Sequence, residues 1–207
     1  MQNKNYSKIK RILDILLSII LLILLSPCLI IISIKIKLDN DGPILFKQER
    51  LGKNGKTITI YKFRTMVPDA DKKLFELLER DEEAREEYRI NKKLKDDPRI
   101  TKIGKILRKT SLDEFPQFIN VLKGEMSLVG PRAVIDGEIE LFGEHKEEVL
   151  SVKPGVTGYW AANGRSDTSY EERVEMETFY ANNISIPLDI EILFKTVVSV
   201  VKKEGAV

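Results

Sequence analysis

The residues from Ile15 to Ile34 carry no charged side chain and are almost wholly aliphatic. As a straight helix such a run spans about 30 Å, close to one hydrocarbon core. Basic residues flank it on both sides: Lys4, Lys8, Lys10 and Arg11 before, Lys35 and Lys37 after. The positive-inside rule keeps both flanks cytoplasmic, which a single straight span cannot do. Pro27 offers a way out. It has no N–H, so the carbonyl of Ile23 loses its helical partner and the helix kinks. Ser26 can bond a carbonyl one turn back and cover the exposed polar group in lipid. A Ser26-Pro27 break in a helix that enters and returns on one face fits these features. A single-pass anchor is the competing reading. A secretory signal fits less well, since Leu25-Ser26-Pro27-Cys28 lacks a small residue before the cysteine and the apolar run continues past it.

The remainder excludes several classes of function. The 207 residues suffice for one sizeable domain. A net charge of +2 and few aromatic residues leave no polyanion field or base-stacking surface, so no nucleic acid is expected. One cysteine and one histidine, His145, rule out a disulfide framework, a Cys/His metal cluster and a His-based triad.

Short strands are expected at 44–49 and 57–63 around a Gly52–Lys56 turn. A solvated helix or helix pair is expected from Asp69 to Leu94, a glycine-rich loop from Val152 to Arg165, and a charged helix from Tyr170 to Tyr180. The tail from Leu188 to Val201 has Ile190, Leu193, Phe194, Val197, Val198 and Val201 at helical spacing. It either packs on a core or lies flat at a membrane interface, with Lys195, Lys202 and Lys203 at the headgroups. The fold class is thus mixed α/β and helix-rich. A re-entrant membrane helix over residues 1–38 precedes a small catalytic domain over 39–207, with short strands and interfacial amphipathic helices.

The chemistry concentrates between Leu107 and Gln117. Two readings stand at this point. In the first, Ser111 and Glu114 form a capping box for a helix running toward Leu122 and ending at Gly124, and Asp113 favours the positive helix end. Pro116 counts against it, as the fifth residue of that helix. In the second, Asp113 and Glu114 sit beside free N–H donors that bind phosphate. A carboxylate next to Mg2+ and a cation stays ionised and attacks phosphorus, while Arg108 offers a bidentate fork. Three further clusters resemble anion-handling loops: Lys62-Phe63-Arg64-Thr65-Met66, Gly130-Pro131-Arg132 and Gly164-Arg165.

These residues, in this order, resemble the monotopic phosphoglycosyl transferases, also called bacterial sugar transferases. The match runs from the Lys/Arg-Asp14 start and Ser26-Pro27 through Gln48-Glu49-Arg50-Leu51-Gly52 and Lys62-Phe63-Arg64-Thr65-Met66. It continues through Asp97-Pro98-Arg99-Ile100-Thr101, Ser111-Leu112-Asp113-Glu114-Phe115-Pro116-Gln117, the stretch from Asn120 to Arg132, and Lys153-Pro154-Gly155-Val156-Thr157-Gly158. The resemblance implies a re-entrant helix broken at Ser26-Pro27, a catalytic Asp113-Glu114 dyad, a phosphate-binding Arg108 and a nucleotide-side loop at Pro131-Arg132. Lys62, Arg64 and Arg165 join these as expected substrate contacts. Two departures stand out. Ala133 replaces the family's usual second proline, and Ala161 or Ala162 stands where a glutamine is usual, which bears on the nucleotide and sugar contacts.

The expected activity is transfer of a sugar-1-phosphate from an NDP-sugar, UDP-hexose by the Gly164–Ser169 stretch, to a polyprenyl (undecaprenyl) phosphate. UMP is released, Asp113 is the nucleophile and a ligand of Mg2+, and Glu114 positions groups or handles a proton. Such a product opens exopolysaccharide, capsule or glycoconjugate assembly at the cytoplasmic face of a bacterial inner membrane, feeding downstream glycosyltransferases. The alternatives are a membrane-anchored nucleotide-sugar hydrolase and an inactive scaffold.

Overall fold

A computed structural model describes residues 4–91, 93–164 and 168–202. Helix α1 (Lys4–Asp39) holds the whole apolar run and is long and apolar enough to cross a membrane. Helical conformation continues through Pro27. The one carbonyl that this proline orphans, that of Ile23, accepts from Ser26 Oγ at 2.8 Å, so the adjacent hydroxyl replaces the lost N–H.

One side of α1 packs lengthwise on the rest of the chain. Near its start, Arg11 donates to the carbonyls of Val121 and Leu122. A turn later, buried Asp14 accepts from Ser127 Oγ at 2.9 Å and from the Leu128 N–H at 3.0 Å. Leu17, Leu21 and Leu22 rest on the main core, and Ile32 and Ile36 bury against Phe63 and Leu107. The other side leaves Ile12, Leu16, Ile20, Ile23, Leu24 and Ile30 exposed.

Strands β1 (Leu45–Leu51) and β2 (Thr57–Phe63) form an antiparallel hairpin around the expected Gly52–Lys56 turn, with Leu45 opposite Phe63 and Leu51 opposite Thr57. The charged stretch forms the helix pair α2 (Ala70–Arg80) and α3 (Glu82–Asn91). Helix α4 (Lys102–Thr110) is capped by Thr101, whose hydroxyl accepts from the Gly104 N–H.

The expected capping box at Ser111 does not form. Ser111 adopts a left-handed conformation (φ 54°) and closes α4, its N–H bonding the carbonyls of Leu107 and Arg108. Residues 112–114 make a single 3-10 turn, and α5 (Gln117–Lys123) begins only after Pro116, where the absent N–H costs nothing. Gly124, with φ 81°, ends α5 as expected.

Strand β3 (Ser127–Val129) had no clear signature in the sequence, because all three residues are buried and do not alternate. Helices α6 (Asp136–Ile139) and α7 (Lys146–Leu150) follow. The expected glycine-rich loop is partly ordered as β4 (Gly155–Thr157), paired parallel to β3, and α8 (Tyr159–Asn163). Its glycines let backbones meet: a Cβ on Gly130 would lie 2.3 Å from the Lys153 carbonyl oxygen, and one on Gly158 2.2 Å from the Gly130 oxygen.

Helix α9 (Tyr170–Asn182) has a true capping box, Ser169 with Glu172. Helix α10 (Ile186–Lys202) buries Ile192 in the main core and leaves Ile190, Phe194 and Val197 exposed. Ile190, Phe194 and Val197 of the expected apolar stripe therefore face outward, while Leu193 packs against the core. Arg165 and Lys203 lie outside the described residues, as does the side chain of Val201. Over the described residues the protein is thus a helix-rich α/β fold with two small sheets and one apolar N-terminal helix.

Candidate active site

Four elements meet around Asp113 and Glu114. The left-handed Ser111 reverses the chain, so the 3-10 turn sets both carboxylates beside the end of β2. Lys62, near the end of β2, places Nζ 2.6 Å from Glu114 Oε1. Arg108, in the last turn of α4, donates from Nε to Thr65 Oγ1 at 3.0 Å. This close approach needs Gly104, since a Cβ there would fall 2.0 Å from the Thr65 carbonyl oxygen. Arg132 follows β3, with Nη1 4.0 Å from Glu114 Oε1. Three cations from distant segments thus surround the dyad.

Electrostatics separates the two carboxylates. Burial, and then the adjacent Glu114 charge, push Asp113 up from the ordinary 3.8 to about 6, against the pull of Lys62 and Arg108. Burial also holds the Arg108 guanidinium below its ordinary value, with Asp113 opposing. Asp113 is therefore an ionisable group raised toward neutrality that makes no direct ion pair among the described residues, while Glu114 is held by Lys62. That division suits a nucleophile beside a positioning group.

Not every expected contact points here. Arg64 is buried, and its guanidinium donates to the carbonyls of Ile36, Asn40 and Asp41, closing the end of α1. Its fork serves backbone oxygens rather than facing the dyad, because a helix C-terminus presents unpaired carbonyls that attract a cation. The Pro131 carbonyl accepts from the Gly155 N–H, which fixes the Arg132 loop on β4. Ser26 and Pro27 lie on α1, away from the carboxylates along the chain and serving the helix itself.

A second group was not foreseen. Glu138 joins Arg173 at 2.7 Å and Arg50 at 3.5 Å, and Arg50 also donates to the Ala133 carbonyl. Arg173 lies 4.7 Å over the Trp160 ring, and Arg132 faces the same ring at 6.0 Å. Fully buried Glu177 accepts from the Arg132 N–H at 2.9 Å, and burial raises its carboxyl to about 7. Arg173 and Glu177 lie four residues apart in a helix whose charge reads as solvated. Only the motif around Arg50 carried a sequence signal, and it gave no role.

Beside the dyad runs an apolar groove of about 420 Å3 between α1 and the domain, lined by Leu22, Leu29, Leu45, Phe63, Pro116 and Ile119. Pro116 in this lining lies two residues past Glu114, so the groove passes near the turn that carries the dyad, although neither carboxylate lines it.

Residues 5–203 match the family model described as bacterial sugar transferase. The chain is 43% identical over 197 residues to the exopolysaccharide production protein ExoY of Sinorhizobium fredii, covering 95% of this chain and 87% of that one. It is 46% identical over 198 residues to the undecaprenyl-phosphate galactose phosphotransferase of Salmonella typhimurium, covering 96% of this chain and 41% of the relative. It is 45% identical over 198 residues to the UDP-galactose-lipid carrier transferase of Erwinia amylovora, again covering 96% of this chain and 41% of the relative. The chain thus spans most of ExoY and less than half of the two longer relatives. Matched along nearly its whole length, with the dyad and its surrounding cations assembled in one place, the chain belongs to the bacterial sugar transferase family and is by class a phosphoglycosyl transferase.

Proposed function

We propose that this protein transfers a hexose-1-phosphate from a UDP-hexose to undecaprenyl phosphate at the cytoplasmic face of a bacterial inner membrane, opening exopolysaccharide or related glycan assembly. The observation that carries this reading is a half-buried carboxylate, Asp113, within the field of Lys62 and Arg108, beside a Glu114 that faces Lys62 and Arg132. The names of the relatives supply the substrate classes: a UDP-galactose donor in one, an undecaprenyl phosphate acceptor in another.

The reaction takes two displacements. An Asp113 carboxylate oxygen attacks the β-phosphorus of the donor, the bond from that phosphorus to the bridging oxygen breaks, and UMP leaves with the electron pair. The hexose phosphate stays on Asp113 as an acyl phosphate. An oxygen of the lipid phosphate then attacks the same phosphorus, the Asp113 oxygen leaves, and undecaprenyl-diphospho-hexose is formed. Arg108, held by Thr65, presents its remaining N–H donors to the transferring phosphoryl group, and Arg132 does so from the nucleotide side. Lys62 holds Glu114 in place. The groove beside α1 takes the first part of the polyprenyl chain.

Mg2+ fits the donor set. Asp113 and the donor phosphates would hold it, and no ready cage of three or more acidic, His or Cys side chains occurs among the described residues, which suits a cation that takes one or two carboxylates plus phosphate oxygens. When bound it would offset the phosphate charge.

Re-entry of α1 is supported by its contacts. Arg11 and Asp14 near one end, and Ile32 and Ile36 near the other, all grip the same domain. A straight span would pull one set away. The domain sits on the cytoplasmic side by the flanking positive charge.

The test omits the lipid. With a UDP-hexose alone, the protein should release about one UMP per site and gain the mass of a hexose phosphate on a peptide containing Asp113. Continuous UMP release would instead identify a hydrolase, and an adduct on Glu114 would reverse the roles in the dyad.

A further inference from the structure

A second, smaller cavity of about 160 Å3 lies under the first turns of α1. Its lining includes Lys10 and Arg11 from α1, Lys53 from the β1–β2 turn, and Lys153 from the loop before β4, and contains neither carboxylate of the dyad. Four cations converge there, against the carboxylates of Asp14 in the lining and Asp189 beside it. Both carboxylates are engaged: Asp189 with Lys10, Tyr6 and Tyr180, and Asp14 with Ser127 and the Leu128 N–H.

Lys153 is different. It is half-buried and makes no hydrogen bond or ion pair among the described residues. It crowds another cation: a point one Cβ out from Gly124 lies 3.7 Å from Lys153 Nζ and 3.5 Å from Arg11 Nη2. Burial, and then Arg11, push its amine below the ordinary value, with Asp14 opposing and Lys53 adding to the shift. A cavity with this charge suits a phosphate oxyanion, which accepts several N–H donors at once.

The surroundings distinguish a lipid phosphate from a free one. Exposed Ile9, Ile12 and Leu13 continue from the cavity along α1, and exposed Ile190 adjoins Asp189 on α10. Cationic side chains thus stand at the start of two exposed apolar surfaces, an arrangement that suits the headgroup level of a bilayer. We propose that this cavity binds the headgroup phosphate of an anionic bilayer phospholipid, with Lys153 as its principal free cation. The site anchors the base of α1 against the domain and is independent of the reaction assigned to Asp113.

The full chain is placed in nanodiscs of phosphatidylcholine alone or with phosphatidylglycerol, and the lipids retained on release are counted by native mass spectrometry. Wild type should retain phosphatidylglycerol preferentially. Lys153→Gln should lower that preference about fivefold, the worth of one lysine at an anionic surface, and Lys153→Arg should keep it. A readout on the unmodified chain accompanies this: acylation of the Lys153 amine should be slower with phosphatidylglycerol than with phosphatidylcholine, and inorganic phosphate should not reproduce the protection. An unchanged preference in Lys153→Gln overturns the proposal, as does equal labelling in both lipids. Equal protection by inorganic phosphate overturns the lipid assignment in favour of a free-phosphate site.

Discussion

Replacing the proposed nucleophile should stabilise the protein while abolishing its chemistry. Asp113 titrates near 6 in the fold against 3.8 ordinarily, so at neutral pH the fold carries a carboxylate that it disfavours. A shift of about two pH units is worth about 3 kcal/mol, reduced to about 2 kcal/mol for the solvent that reaches a half-buried group. A raised carboxyl pKa favours folding fully below the unfolded value, and that contribution is lost as pH rises through about 6. Asp113→Asn has nearly the same shape and no charge to bury. Its melting temperature, measured without nucleotide or Mg2+ in one detergent, should match wild type near the ordinary carboxylate value. It should rise above wild type with increasing pH and reach a gain of about 4–8 °C above neutrality. The rate of UMP release by wild type should follow the opposite logic, increasing through about pH 6 as Asp113 ionises. A variant that melts at or below wild type at neutral pH would refute the burial argument, and with it the reading of Asp113 as a group kept destabilised for attack.

Arg108→Lys keeps the charge but loses the planar fork and the Thr65 bond, so the UMP burst should slow about a hundredfold; wild-type rates would make Arg108 structural. Glu114→Gln removes the second cause of the raised Asp113 pKa, so the acid limb of the residual burst should move to lower pH, and an unmoved limb would discount that charge. Arg64→Ala leaves three carbonyls at the end of α1 without their donor; melting temperature should drop by the equivalent of about 2–4 kcal/mol while the folded fraction still binds the donor nucleotide. Loss of nucleotide affinity at unchanged melting temperature would return Arg64 to the substrate. Cysteines at Lys8→Cys and Lys37→Cys should both resist impermeant labelling from outside intact cells, and labelling of either would sink the re-entrant topology.

The sequence alone determined what local chemistry can dictate. The aliphatic run specified an apolar helix long enough to cross a membrane, Pro27 identified the carbonyl that would lose its donor, and Ser26 stood where a replacement was needed. Two short runs around the Gly52–Lys56 turn specified the β1–β2 hairpin, and the ordered motifs specified the family. Tertiary structure decided everything that depends on distant segments meeting. Ser111 reads as a helix cap, yet packing of α4 on Thr65 places it at a helix end in a left-handed conformation, and that reversal is what brings Asp113 and Glu114 to Lys62. Arg64 sits in a motif that looks built for phosphate, but the end of α1 arrives beside it with unpaired carbonyls and takes its fork. Arg50, Glu138, Arg173 and Glu177 join across more than a hundred residues of chain, and no periodicity in α9 separates a buried carboxylate from its solvated neighbours. Burial also set the titration of Asp113, because desolvation depends on which atoms surround a carboxyl and not on the residues beside it in sequence.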